Sequence, residues 1–196
     1  MRPDKREMLS LLQTMLRIRE FEHRLGKYYN YRAYFEKTIS RQESERTEAL
    51  LTSTLYDFAS SGMIGGAVHL YVGMEAVATG VCAHLRDDDY VTGSHRGHGH
   101  FLAKGGSVSA ALAELMGRSG GCSHGYGGSM HLFDPRKGFL GGNGIIGAQI
   151  PLALGPAFAA KYHGADGVSA TFFGDCLLYT SPSPRDRTRS RMPSSA

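Results

Sequence analysis

The chain has 196 residues, 41% of them aliphatic or aromatic, which is enough for one globular domain with a sizeable core. It contains no apolar run long enough to span a membrane and only three cysteines, without metal-ligand spacing, so we expect an intracellular protein without a disulfide framework. Residues 176–196 supply +3 of the formal net charge of +4, with four arginines against one aspartate. We therefore expect neither a nucleic-acid nor a membrane partner.

The first part of the chain predicts helices and little chemistry. Residues 5–27 carry apolar side chains at three- and four-residue steps, which predicts an amphipathic helix. The stretch 28–61 is more polar and predicts one or two exposed helices. Glycine becomes frequent only from Gly62 onward, and seven of the nine histidines lie between residues 69 and 131, so we expect the functional residues there.

A histidine-rich segment follows the first predicted strand. A helix around residues 73–85 and a short strand at Asp89–Thr92 lead into a loop that contains Ser94–His100, with the sequence SHRGHGH. Because arginine makes bidentate contacts to phosphate oxygens and glycines let backbone amides approach them, an anion is the expected ligand. Two alternatives stay open: a transition-metal site formed by the three histidines, or histidines that only complete the hydrogen bonds of the loop.

His69 is a second candidate, in the segment GGAVHL. Because it lies between apolar residues, it is either a neutral hydrogen-bond donor that faces a pocket or a buried core histidine.

The second half of the chain alternates helices, a glycine-rich loop and a strand. Ser107 is a suitable N-cap for a helix that ends at Gly117, and eleven of the 31 residues from Gly117 to Gly147 are glycine. Apolar residues interleave with these glycines, which indicates a functional loop whose end, at a helix start, can offer free N–H groups to a ligand. A small-residue helix at 148–162 and a buried strand at Val168–Phe173 then lead to Asp175. In this α/β order ligands gather at strand carboxyl ends, where Asp175 either binds a divalent cation or caps the next helix.

Five motifs follow one another in the chain: HLYVGMEA (69–76), HRGHGH (95–100), GGSMH (127–131), GGNGIIGAQ (141–149) and FFGD (172–175). In order and spacing they resemble the α subunits of thiamine-diphosphate-dependent 2-oxo acid dehydrogenase E1 components, the family of the pyruvate, branched-chain and acetoin dehydrogenases. The resemblance implies an α/β thiamine-diphosphate-binding fold, a parallel sheet flanked by helices, of which this chain would hold only the N-terminal portion. It implies oxidative decarboxylation of a small 2-oxo acid, pyruvate in the first place, with acyl transfer to lipoyl groups. Acetoin or a branched-chain 2-oxo acid is the alternative substrate.

The resemblance also implies catalytic residues and partners. His69 would line the substrate side of the cofactor, and His98 is assigned to the catalytic residues with it. In the family the β subunit supplies the carboxylate that activates the aminopyrimidine, in an α2β2 heterotetramer, and the acyl unit passes to a lipoyl acyltransferase, the E2 component. The α chain alone would be inactive. The location would be the bacterial cytoplasm, or the mitochondrial matrix in a eukaryote.

Five further residues receive cofactor roles from the resemblance. His95 and Arg96 would contact the diphosphate of thiamine diphosphate. Gly144 and Ile146 would hold the aminopyrimidine through backbone groups. Asp175 would bind Mg²⁺.

The chain departs from the family after Asp175. Cys176 stands where the family has glycine, and no asparagine follows to complete the metal site. Residues 176–196 are rich in serine, proline and arginine and resemble a translated sequencing adapter. We therefore expect three segments: a helical segment, 1–61, with an insertion around 29–61; a partial thiamine-diphosphate-binding domain, 62–175; and a non-native, disordered tail, 176–196. Two other function classes remain: an inactive truncated fragment that binds no cofactor, and a metal hydrolase that uses the histidine segment.

Overall fold

The computed structural model describes residues 4–29, 64 and 66–174. The predictions for residues 30–61, for Asp175 and for the tail 176–196 lie outside this part of the chain. The described elements, in chain order, are α1 (Lys5–Tyr29), α2 (Glu75–Cys82), β1 (Tyr90–Thr92), α3 (His98–Ala103), α4 (Val108–Leu115), a 3-10 turn (Pro135–Lys137), α5 (Gln149–Tyr162) and β2 (Ser169–Thr171). The described part is therefore a helix-rich α/β structure, as the sequence predicts.

Helix α1 confirms the helix predicted at 5–27, although Leu9, Leu12 and Leu16, whose spacing predicts it, are about half exposed. It begins with a reciprocal cap, because Asp4 Oδ1 accepts from the Glu7 amide at 2.8 Å while Glu7 Oε2 accepts from the Asp4 amide at 2.8 Å. Its C-terminal half buries Ile18, Phe21 and Leu25 against the rest of the core. The burial of this apolar face, more than intrinsic propensity, stabilises the helix in place.

A parallel pair of short strands forms the sheet of the described residues. Tyr90 pairs with Ser169 and Thr92 with Thr171. On the other side of β1, Val91 donates to the Gly138 carbonyl and accepts from the Leu140 amide, both at 2.8 Å. Val91 is fully buried because its side chain belongs to the hydrophobic core.

Helices α2, α4 and α5 fit the sequence predictions. The N-cap of α4 is Ser107, as predicted. The Ser107 hydroxyl accepts from the Ala110 amide at 3.4 Å. Helix α5 begins one residue after the predicted start and ends at the predicted Tyr162, and α2 is shorter at both ends than the helix predicted around 73–85. Differences of this size are usual at helix ends, which fray.

Two sequence predictions were wrong. The segment from His98 onward is helix α3 and not loop, because His98, Phe101 and Leu102 bury their side chains together on one short turn. The strand predicted as buried at 168–173 contains only Ser169–Thr171 and is half-buried, with Val168 50% and Phe173 40% exposed. In the described residues β2 has a strand neighbour on one side only, and Val168 and Phe173 lie just outside its three residues.

The core joins α1 to the sheet through the segment around Tyr71. Tyr71, Phe101 and Phe139 are fully or almost fully buried, and the rings of Phe101 and Phe139 meet edge to face at 5.8 Å. Among the helices of the described residues, none combines the length and the hydropathy that crossing a bilayer requires.

Candidate active site

The glycine segment 141–144 packs against the segment Ser94–Gly97 at the carboxyl end of β1. The Gly93 amide donates to the Gly141 carbonyl at 2.9 Å. A Cβ at Gly142 would lie 2.7 Å from the Met130 carbonyl oxygen and 3.0 Å from that of Ser94, so only glycine fits this contact. The two segments that sequence analysis singled out therefore lie side by side.

His69 and His95 meet at this edge of the sheet. Their rings are edge to face, with centroids 4.6 Å apart. His95 Nδ1 is buried and has no hydrogen-bond partner among the described residues. Burial, and then the neighbouring His69 and Arg96, hold the pKa of His95 below its usual range. A buried ring nitrogen without a partner is a feature that a bound ligand can satisfy.

Arg96, the next residue after His95, contacts the segment that carries His69. Its Nη1 donates to the carbonyl of Leu70, the residue that follows His69. A guanidinium has five N–H donors, so this contact leaves donors that can serve an anion. The structure thus brings together three of the predicted residues, namely His69, His95 and Arg96.

Gly144 and Ile146 lie farther along the glycine segment. A Cβ at Gly144 would lie 3.2 Å from His131 Nε2, so the His131 ring packs directly on the backbone there. Asn143 Oδ1 accepts from the Ile145 amide at 2.8 Å, which turns the chain before α5, and the Ile146 side chain is 48% exposed. Gly142 makes a direct contact with Ser94–Gly97.

The start of α5 is tied to the ends of both strands. The Gln149 carbonyl accepts from the hydroxyls of Thr92 at 3.1 Å and Thr171 at 3.4 Å, and its Nε2 donates to the Phe172 carbonyl at 3.4 Å. Gln149 is fully buried. The site therefore combines strand carboxyl ends with a helix N-terminus, where ligands of α/β proteins commonly bind.

His98, predicted to be catalytic, lies in the core. It is fully buried, and its Nδ1 is 2.9 Å from Glu22 Oε1 and its Nε2 2.9 Å from Ser129 Oγ. The Ser129 hydroxyl in turn accepts from the His69 amide at 3.1 Å. His98 therefore contacts the His69 segment only indirectly, through Ser129 and through Glu22, whose Oε2 accepts from the Tyr71 amide at 3.0 Å.

The third histidine of the segment, His100, points elsewhere. Its Nε2 is 3.1 Å from the Tyr71 hydroxyl, and its ring stacks on Phe172 with centroids 4.0 Å apart. Burial lowers its pKa to about 3, so the ring is neutral. The three histidines thus serve different partners, and the described ranges contain no group of three or more histidine, cysteine, aspartate or glutamate residues that could hold a metal ion.

Comparison with known proteins identifies the family. The family model described as "Dehydrogenase E1 component" matches residues 43–177. The chain belongs to this family. It is 50% identical over 121 residues to the α subunit of acetoin:2,6-dichlorophenolindophenol oxidoreductase from Bacillus subtilis, covering 62% of this chain and 36% of that protein. It is 42% identical over 174 residues to the pyruvate dehydrogenase E1 component subunit α of Zymomonas mobilis, a match that covers 88% of this chain and 40% of that protein. It is 45% identical over 150 residues to the subunit of the same name from Rhizobium meliloti, and this match covers 76% of this chain and 41% of that protein. The chain thus spans about two fifths of the length of these relatives.

Three polar residues that hold the segments of the candidate site were not predicted from the sequence. Glu114, fully buried in α4, accepts from the amides of Ser123, Gly125, Gly127 and Gly128 at 2.6 to 3.3 Å. It therefore holds the first half of the glycine loop. Glu22 and Ser129 are the other two, and both contact His98.

One signal in the sequence was available for the two glutamates. Glu22 lies four residues after Ile18 and three before Leu25, on the apolar face of α1, and Glu114 lies within the apolar helix α4. A carboxylate on a buried helix face needs partners, because an isolated buried charge is strongly unfavourable.

Proposed function

We propose that this chain forms the α-subunit side of a thiamine-diphosphate site in a 2-oxo acid dehydrogenase E1 component, with pyruvate as the substrate. The observation that carries the proposal is the convergence of His69, His95, Arg96 and the glycine segment at the carboxyl end of β1. Membership of the E1 family supports it. So does the identity of 38 to 45% to several pyruvate dehydrogenase α subunits.

The residues present fit a diphosphate. Arg96 offers several donors from a planar fork, and His95 Nδ1 is buried without a partner among the residues that the structure describes. Gly97 and Gly142 let the backbone approach closely, since a Cβ at Gly97 would lie 3.3 Å from the Gly142 Cα. Arg96 and His95 would bind and orient the diphosphate from one side of the site.

The remaining roles are assigned on the same basis. His69 would face the substrate, Gly144 and Ile146 would hold the aminopyrimidine through backbone groups, and His98 would act from within the core. Asp175, outside the described residues, would bind Mg²⁺ as a carboxylate ligand at the strand end. Bound thiamine diphosphate supplies the decarboxylation chemistry, and the protein supplies position and electrostatics.

The proposal includes partners. A β subunit would complete an α2β2 heterotetramer, and a lipoyl acyltransferase, E2, would receive the acyl group. Helix α5 supports a protein partner, because it leaves large apolar side chains exposed beside the site. These are Leu152, Leu154, Phe158 and Tyr162. The complete thiamine-diphosphate-binding fold and a location in the cytoplasm, or the mitochondrial matrix in a eukaryote, belong to the same proposal.

Acetoin is the second candidate substrate, and a specific observation favours it. The acetoin:2,6-dichlorophenolindophenol oxidoreductase subunit shares 50% identity over 121 residues, more than the pyruvate dehydrogenase subunits share over their longer matches. A branched-chain 2-oxo acid is a further alternative. The alternative to an enzyme subunit is an inactive fragment that binds no cofactor.

Calorimetric titration tests the cofactor proposal. This chain, mixed with a β subunit of the same family, is titrated with thiamine diphosphate and Mg²⁺. Arg96→Gln removes the charged fork and should weaken binding about 10- to 100-fold, since a hydrogen bond to a charged group contributes about 1.5–3 kcal/mol. Arg118→Gln, an exposed arginine beyond α4, is the matched control and should bind as the unsubstituted chain does.

Two outcomes would contradict the proposal. Absence of binding by the mixture would favour the inactive fragment. If Arg96→Gln binds thiamine diphosphate as tightly as the unsubstituted chain does, Arg96 does not contact the cofactor. If binding is found, release of carbon dioxide from pyruvate, compared with reduction of 2,6-dichlorophenolindophenol by acetoin, decides the substrate.

A further inference from the structure

We propose that Glu22, His98 and Ser129 form a buried positioning network that fixes the backbone of His69 and thereby holds its ring against His95. The inference rests on the proposed function in treating His69 as the residue that faces the substrate. None of the three residues of the network touches substrate or cofactor in this proposal. They act through the His69 backbone.

The network has a definite direction. A carboxylate only accepts, so the His98 Nδ1–H donates to Glu22 Oε1 across 2.9 Å. With a proton on Nδ1 alone, His98 Nε2 carries the lone pair and accepts from the Ser129 hydroxyl across 2.9 Å. The Ser129 oxygen in turn accepts from the His69 amide at 3.1 Å. Every donor in this series meets an acceptor.

The segment that carries His69 is held at three successive residues. The His69 amide is bound by Ser129, the Leu70 carbonyl by Arg96, and the Tyr71 amide by Glu22 Oε2 at 3.0 Å. Glu22 thus holds His98 with one carboxylate oxygen and the His69-bearing segment with the other.

These contacts come from distant parts of the chain. Glu22 and His98 are 76 residues apart, and Ser129 is 60 residues from His69. The network therefore couples α1, α3 and the glycine loop to one extended segment.

Burial makes the network stiff. Glu22 and His98 are fully buried and Ser129 is almost so, which means that water cannot replace a lost partner. Removing the Ser129 hydroxyl would leave the His69 amide and His98 Nε2 without partners at once. The least disruptive response is movement of the His69 segment, which would separate its ring from His95.

The first test reads the tautomer of His98 in the unsubstituted chain. Long-range proton–nitrogen NMR correlations distinguish the two ring nitrogens. We expect a proton on Nδ1 and none on Nε2. A proton on Nε2, in the other tautomer or in the imidazolium, would leave the Ser129 hydroxyl without this acceptor and would overturn the network.

The second test measures the contact between the His69 and His95 rings. Nuclear Overhauser effects between their ring protons are expected in the unsubstituted chain, since the centroids are 4.6 Å apart. Ser129→Ala should lose them, and Ser129→Thr, which keeps the hydroxyl, should restore them.

Ser123→Ala is the matched control for the second test. It also removes one hydroxyl hydrogen bond from the glycine loop, the one to the His131 carbonyl at 3.0 Å. General loosening of the loop would weaken the ring contact in both alanine variants, whereas the positioning network predicts loss in Ser129→Ala alone. An unchanged contact in Ser129→Ala would refute the proposal. If that variant does not fold, the His98 tautomer decides.

Neither test uses cofactor, substrate or partner subunit. Failure of the network therefore leaves the calorimetric result for thiamine diphosphate unaffected, and failure of cofactor binding leaves the NMR results unaffected.

Discussion

The rings of His69 and His95 meet edge to face with centroids 4.6 Å apart, and the buried His95 Nδ1 atom has no hydrogen-bond partner in the described part of the chain. Burial is the largest influence that lowers the pKa of His95, followed by the nearby His69 and Arg96. All three influences disfavour a proton on His95. An anion bound between His95 and Arg96 would oppose them.

This relationship predicts a response to inorganic pyrophosphate. Saturating pyrophosphate should raise the pKa of His95, because a nearby negative charge stabilises the imidazolium. The measurement is an NMR titration of the His95 ring against pH, with and without the anion. Arg96→Gln should abolish most of the response, and Arg118→Gln should preserve it. A His95 titration that ignores pyrophosphate would argue against the diphosphate site.

Glu114 is expected to stabilise the glycine loop strongly. Glu114→Gln replaces one carboxylate oxygen by an NH₂ group that faces backbone donors, so amides of the loop lose their acceptor. We expect the free energy of unfolding to fall by about 3 kcal/mol, since each buried unsatisfied donor costs about 1–3 kcal/mol. Urea denaturation followed by circular dichroism measures it.

Glu20→Gln is the control for this prediction. Glu20 is exposed on α1 and pairs with Arg24 one turn away, so its loss should change stability by less than about 0.5 kcal/mol. Similar effects of the two substitutions would show that Glu114 does not hold the loop.

Much of the fold could be predicted from local sequence. Helices α1 and α5 follow from periodicity and small residues, and α4 from its Ser107 cap, because these signals lie within a few residues of one another. Helix α3 could not be predicted in this way. It is six residues long and contains Gly99, and its burial depends on Tyr71, whose ring lies where a Cβ at Gly99 would be.

The candidate site also contains some residues that local sequence predicts and others that it does not. His69, His95 and Arg96 could be identified from motifs, and the structure brings them together. Ser129 was visible only as part of a motif, and its contact with His98 spans 31 residues. Glu22 contacts residues 49 and 76 positions away. Such pairings depend on tertiary packing, which periodicity and spacing do not encode.

Burial of His100 predicts that the stability of the folded chain decreases in acid. Its pKa is about 3 in the folded chain, against an ordinary value of 6.5, because burial disfavours the charged ring. Between pH 6.5 and about 3 the His100 ring therefore binds a proton in the unfolded chain but not in the folded chain. The free energy of unfolding is therefore highest above pH 6.5 and decreases as the pH falls toward 3. Between about pH 7.5 and pH 5 the loss should be about 2 kcal/mol.

The variant His100→Phe tests this assignment. It keeps an aromatic ring against Phe172 but does not titrate. The expected result is a lower free energy of unfolding at neutral pH, because the Tyr71 hydroxyl loses a partner, and a smaller further decrease on acidification, by about 2 kcal/mol. Equal acid sensitivity in the two proteins would assign the effect to other groups.

Two glycine-to-alanine substitutions should change stability in opposite directions. Gly142→Ala places a Cβ 2.7 Å from the Met130 carbonyl oxygen and 3.0 Å from that of Ser94, both main-chain atoms. The backbone must shift, which should lower the free energy of unfolding by about 1–3 kcal/mol. Gly80→Ala, within α2, places its Cβ more than 4 Å from the surrounding atoms of the described residues. There we expect a gain of about 0.5–1 kcal/mol from helix propensity.

The same pair tests how the glycine segment and Ser94–Gly97 act together. Separating these segments moves the backbone around Gly142 away from His95 and Arg96, so Gly142→Ala should also weaken thiamine-diphosphate binding in the calorimetric experiment. Gly80→Ala should leave that affinity unchanged, because Gly80 lies within α2 and away from the segment contact. If Gly142→Ala is destabilised but binds with full affinity, the close approach of the two segments supports folding and not the cofactor site.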